Sequence, residues 1–104
     1  MHPLFHPLFL QFVNYFNEHQ DYFECHEVLE DYWKSVSPND KSHPLTALIL
    51  LSTGMYHWRR NNLVGAKRSL EKARKRFTLE PESDFYRGID MKNMLKKLND
   101  SIDL

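Results

Sequence analysis

Apolar positions recur at helical spacing along nearly the whole chain. Phe9, Phe12, Val13 and Phe16 fall at i, i+3, i+4 and i+7, and Pro7 suits a first helical turn. This predicts a helix over residues 7 to 16 or 17. Glu18-His19-Gln20 is short and polar, a connector that folds the next helix back on the first. That helix starts at Asp21, a good N-cap with Glu24 three residues on, and runs without Gly or Pro to about Lys34 or Ser35. Residues 37–42 read as a loop. A third helix begins at Pro44 or Leu45 and ends near Arg59 or Arg60. It is apolar nearly all round, so it is predicted to lie among neighbours, with Gly54 marking a close helix crossing. Asn61-Asn62 makes the next turn. A fourth helix, from about Leu63 to Phe77, turns Ala66, Leu70, Ala73 and Phe77 inward and Lys67, Arg68, Lys72, Arg74, Lys75 and Arg76 outward. Phe85 and Tyr86 anchor an irregular stretch. Asp90 then caps a fifth helix with Met91, Met94, Leu95 and Leu98 as its stripe.

The expected fold is all-α, with about five helices: two antiparallel αα-hairpins and a C-terminal helix. It forms one domain over residues 1–104, with residues 1–6 as an arm. A loose internal repeat supports the pairing. A shift of forty-one positions brings Asp21 onto Asn62, Cys25 onto Ala66, Leu29 onto Leu70 and Glu30 onto Glu71. Asn62 through Ala73 also looks like the second helix of a tetratricopeptide hairpin.

Composition adds limits. A chain of 104 residues with 41% hydrophobic content suits one small domain with its own core. Net charge is zero, but its distribution is uneven: residues 1–33 carry six acids and no Lys or Arg, and residues 34–78 carry ten bases against two acids. The single Cys25 excludes an internal disulfide and suits a reducing compartment. The start of the chain lacks the basic and apolar regions of a signal peptide. The uncharged run from Ser42 to Trp58 is too short and too polar for a comfortable membrane span. A soluble, cytoplasmic protein is expected.

The densest chemistry lies between Tyr22 and Trp33. At about 100° per residue, with Tyr22 at zero, Leu29, Trp33, Cys25, Tyr32 and Phe23 share one broad side. His26, at about 40°, and Glu30, at about 80°, fall among them, with Glu27 at the border near 140°. Glu30 is therefore expected in the core, paired with His26 four residues back, and Glu30→Ala to cost more than Glu24→Ala. Near the start, His2-Pro3-Leu4-Phe5 repeats as His6-Pro7-Leu8-Phe9. Two such histidines have ligand chemistry, but an arm leading into a helix at Pro7 is the plainer reading.

Phe23-Glu24-x-His26-Glu27-x-Leu29-Glu30-x-x-Trp33, a mostly apolar helix ending in His57, Arg60-Asn61-Asn62-x-x-Gly65-Ala66 and Gly88-Ile89-Asp90 occur in that order. Together they resemble the small bacterial helical family known as domain of unknown function 309, over about Phe16 to Leu98. That family usually has Arg-Gly-Asn before its Gly-Ala pair. Asn61 stands in place of the Gly and tolerates the left-handed conformation it would supply. The resemblance implies an all-helical domain and brings no activity with it.

Three roles follow for the cluster of His26, Glu27, Glu30, Trp33 and His57. The favoured one is non-enzymatic: a helical interaction or scaffold module in which His26, Glu30, His57, Tyr22 and Arg60 form a hydrogen-bonded lock at a helix crossing. No cofactor is then needed, and the partner is a protein. The second is a divalent metal on His26, Glu27, Glu30 and His57, serving a hydrolase with Glu27 or Glu30 as ligand or base. The pattern matches carboxylate-rich bundle sites only in part, and the zinc-protease motif is absent. The third is an anion site at the start of the fourth helix, with Arg59, Arg60, Asn62 and Lys67, extending to phosphate or nucleic acid on the basic face of residues 63–77. No base-reading motif accompanies that face, and a solvated surface or a contact with an acidic protein is the plainer reading. Cys25 and His26 diverge by about 100° on the helix, which disfavours them as a nucleophile and base.

Overall fold

A computed structural model describes residues 6–86 and 89–102. It contains five α-helices: α1 Pro7–Asn14, α2 Tyr22–Val36, α3 Pro44–Arg59, α4 Leu63–Leu79 and α5 Met91–Ile102. There is no strand among the described residues, so the fold is all-α as expected. His2, with the first copy of the tetrapeptide, and Gly88 lie outside the described residues.

The helix starts follow from local chemistry. His6 and His43 each accept, through Nδ1, the backbone N–H two residues on, at 3.2 and 3.1 Å, and each precedes a proline whose missing N–H would be unused there. Asp21, Asn62 and Asp90 cap α2, α4 and α5 by accepting the amides of Glu24, Gly65 and Asn93.

One connection differs from the sequence expectation. Glu18 and His19 are not a loop: after α1 the chain continues as a π-helical turn over Tyr15–His19. Gln20, at φ 53°, then ends it in the left-handed conformation, and the Asp21 amide returns to the Tyr15 carbonyl at 3.1 Å. The wider turn keeps Phe16 buried beside Tyr22, with ring centroids 5.3 Å apart. Asn61 closes α3 similarly, at φ 61°. The Asn62 amide returns to His57 O and the Asn61 amide to Trp58 O, the paired bonds of a Schellman ending.

The helices pack in two antiparallel pairs. Between α1 and α2, Phe9 meets Tyr32, the Cys25 thiol points at the Phe12 carbonyl, and Phe16 meets Tyr22, so one helix advances as the other recedes. Between α3 and α4, Gly54 faces Ala66 and Ser69 while His57 faces Gly65. α3 touches α2, α4 and α5 and buries nine of its residues, which accounts for its apolar circumference. A Cβ on Gly54 would lie 3.0 Å from Leu98 of α5 and 3.4 Å from the Ser69 Cβ, the close crossing anticipated for it. The 3₁₀ turn Asp84–Tyr86 sets Phe85 against Phe9, Tyr32 and His43, and Tyr86 against Phe77.

Candidate functional site

The rotation of α2 decides which side chains a ligand can reach. The residues it buries are Tyr22, Cys25, Val28, Leu29 and Tyr32. Their mean direction lies near 300° in the frame used above, about 40° from the mean expected when Phe23 and Trp33 were counted as core. This rotation corrects three expectations. Phe23 is 50% exposed, and Val28 takes the core place expected for it. His26 and Glu30 sit on the shoulder of the helix, with side chains 32% and 34% exposed. Glu30 therefore has no need of a buried partner. Its carboxylate meets Lys34 Nζ at 2.9 Å and His26 Nε2 at 3.6 Å. The hydrogen bond from Lys34 is the main reason its carboxyl stays below its usual range.

Two clefts flank Phe23 where α2 meets the end of α3. One, of about 210 Å³, is lined by Tyr22, Phe23, His26, Glu27, Thr53, Tyr56 and His57. The other, of about 390 Å³, shares Tyr22, Phe23 and Tyr56 with it and adds His19, Gln20, Asp21, Arg59 and Arg60. The Phe23 and Tyr56 rings, 6.0 Å apart, form the ridge between them.

Hydrogen bonds and packing fix the walls of both clefts. Asn62 Oδ1 accepts the Gly65 amide at 3.0 Å, so its Nδ2 is the end that faces His57 Nδ1 at 3.2 Å. His57 Nδ1 is then the acceptor, and the proton of the neutral ring lies on Nε2. Gly65 makes this fit possible: a Cβ there would fall 2.7 Å from Asn62 Nδ2 and 3.0 Å from the His57 ring. Arg59 donates to the Gln20 carbonyl at 2.6 Å and lies over the Tyr22 ring at 5.3 Å. Arg60 donates to the Tyr56 hydroxyl at 3.0 Å and lies over that ring at 5.4 Å.

Of the residues singled out in the sequence, His26, Glu27 and His57 share the smaller cleft, and Arg59 and Arg60 share the larger. Trp33 lies elsewhere. Its Nε1 donates to the Asp40 carbonyl at 3.0 Å and ties the α2–α3 loop to α2. Lys67 lines neither cleft; it is exposed on α4 along with Arg68, Lys72, Arg74 and Lys75. The proposed metal set does not converge. Glu27 approaches Nδ1 of His26 at 3.7 Å and Glu30 approaches Nε2, on different edges of the ring, while Glu30 stays outside the cleft that holds His57. Among the described residues, no group of three or more His, Cys, Asp or Glu is arranged to hold a metal ion. Burial pushes the Cys25 thiol up to about 12, so it stays protonated.

Tyr56 and Gln20 were not picked out from the sequence. Because α3 is apolar all round, nothing marks its outer face. The available signal was the run Tyr56-His57-Trp58-Arg59-Arg60, which puts three rings and two cations at the end of α3. A larger cleft, of about 730 Å³, opens at the other end of α3, between Asp40, His43, Glu80, Glu82 and Phe85. Asp40 and His43 there serve the fold, Asp40 binding Ser42 and His43 capping α3. The chemistry at Phe23 makes the smaller clefts the better site.

These features define a small all-helical domain with an aromatic and basic corner where its two helix pairs meet. The family model described as "Domain of unknown function (DUF309)" matches residues 9–69, and the chain belongs to that family. Gly88-Ile89-Asp90 lies beyond the matched span. The chain is 42% identical over 60 residues to "Uncharacterized protein YpuF" of Bacillus subtilis (strain 168), a match covering 58% of this chain and 34% of that protein. The chain thus spans about a third of that relative. No solved structure gives a significant match, so the tetratricopeptide likeness rests on sequence alone. No helix among the described residues is long and apolar enough to cross a membrane.

Proposed function

We propose that the domain is a non-enzymatic helical interaction module and that the Phe23–Tyr56 ridge, with its two clefts, is its contact surface. The observation that carries this is the half-exposed Phe23 ring standing between two concave surfaces. An exposed aromatic ring beside pockets and arginines has the composition of an interface hot spot. Holding such a ring in water forgoes about 1 kcal/mol or more of burial, which a bound partner recovers. The partner is a protein, and with its single buried thiol the module works in the reducing cytoplasm.

The test is a photo-crosslinking amino acid at position 23, in cells that naturally express the protein. We expect a discrete adduct at this position and none at Val64, which is 65% exposed. The purified partner should then bind Phe23→Ala at least about tenfold more weakly than wild type. Equal labelling at both positions, or none at 23, would overturn the proposal.

A further inference from the structure

The two clefts differ in chemistry, and the difference specifies a ligand. The larger is cationic. Arg59 and Arg60 both line it, and among the described residues neither forms an ion pair. Both are held in place all the same. Neutral acceptors, the Gln20 carbonyl, the Gln20 side chain and the Tyr56 hydroxyl, orient the guanidinium groups, and the Tyr22 and Tyr56 rings support them. This arrangement fixes two cations without neutralising them, which favours binding a carboxylate. Asp21 lines the same cleft, but its carboxylate accepts the Glu24 amide at the start of α2. The smaller cleft, across the Phe23–Tyr56 ridge, is mainly apolar and about 210 Å³, room for one large apolar side chain.

We infer that the site recognises a peptide segment of a partner protein in which an acidic residue lies beside a large apolar one. The carboxylate pairs with Arg60 and Arg59, and the apolar side chain enters the pocket walled by Tyr22, Phe23, Thr53, Tyr56 and His57, with His26 and Glu27 also on its lining. This rests on the interaction-module reading above and names the partner's chemistry. The ridge sets the spacing, since Phe23 and Tyr56, with Tyr22, border both clefts.

The probes are acetyl-phenylalanyl-glutamyl amide and its glutaminyl counterpart, the same shape with and without the charge. Each is titrated into the isotope-labelled full chain and followed by amide and arginine side-chain NMR. The glutamyl probe should give saturable shifts at Phe23, Tyr56 and the Arg60 side chain, with affinity about tenfold above the glutaminyl one. Arg60→Gln should erase that preference, while Arg68→Gln, which removes the same charge from exposed α4, should leave it. Arg60 is the residue to change because Arg59 also ties the Gln20 corner to α3. Equal affinity for the two probes, no saturable shift, or an equal loss in Arg68→Gln would overturn the inference. So would inorganic phosphate binding as tightly as the glutamyl probe. A crosslinked partner at position 23 without a glutamyl preference would leave the module standing and remove its assigned specificity. The preference without a crosslink would do the reverse.

Discussion

The α1–α2 half and the α3–α4 half begin and turn alike but pack by opposite means. Each opens with a histidine cap and a proline, His6-Pro7 and His43-Pro44, and turns on a left-handed residue followed by a side-chain cap, Gln20-Asp21 and Asn61-Asn62. The second half has four more residues between its opening cap and its turn, about one helical turn. In the first half large rings fill the space: Phe9, Phe12, Phe16, Tyr22 and Tyr32 meet edge to face or tilted. In the second, Gly54, Ala66, Ser69 and Ala73 let the helices approach closely. One half should be intolerant of lost volume and the other of added volume. Equivalent backbone signals therefore do not imply equivalent tolerance to mutation.

The sharpest way to break this contrast is to reverse the volumes. Phe12, fully buried among other rings, should cost about 3–5 kcal/mol as Phe12→Ala. Ala66, equally buried, should cost about 1–3 kcal/mol as Ala66→Leu, since α3 and α4 would have to move apart. Urea unfolding measures both. An Ala66→Leu variant as stable as wild type would show that the second half has slack.

A smaller difference separates the two turn caps. Asp21 holds one backbone amide, and Asp21→Ala should cost about 1 kcal/mol. Asn62 holds the Gly65 amide and also His57, so Asn62→Ala should cost nearer 2 kcal/mol. The second contact has its own signature. Asn62→Ala should shift the ring resonances of His57 and leave those of His26 alone, as NMR of the imidazole carbons would show. Equal costs and an unmoved His57 would mean that Asn62 is only a cap.

These caps also show what the sequence could and could not reveal. Asp21, Asp90 and the left-handed turn at Asn61 were legible because a cap depends on neighbours in sequence, and its chemistry is written in adjacent residues. The five helices were legible from their spacing. The π-helical turn over Tyr15–His19 was not, since it is set by Phe16 reaching Tyr22 in another helix. His57 and the two arginines were noted, but their companion Tyr56 was lost in a helix with no polar face. The error in the candidate site came from phase. Phe23 is apolar, and counting it and Trp33 as core in place of Val28 rotated α2 by about 40° and carried Glu30 inward. An exposed aromatic misleads the very periodicity used to find the core, so the residue that shifted the phase is the one on which the proposed contact surface is centred.

Glu30 gives the smallest effect. A core carboxylate would make Glu30→Ala far more damaging than Glu24→Ala. On the shoulder of α2, with Lys34 as its main partner in a solvated i,i+4 pair, Glu30 contributes little. The two variants should have melting points that cannot be told apart near neutral pH. The pH dependence supplies the sign. Because Lys34 lowers the folded-state pKa of Glu30, the stabilisation it gives is present above the unfolded carboxylate pKa and fades as pH falls through the folded value. Wild type and Glu30→Ala should therefore converge on acidification, and added salt should narrow any gap at neutral pH. A gap that survives both would mean that Glu30 is held by more than Lys34, and would return it to the helix-crossing lock with His26.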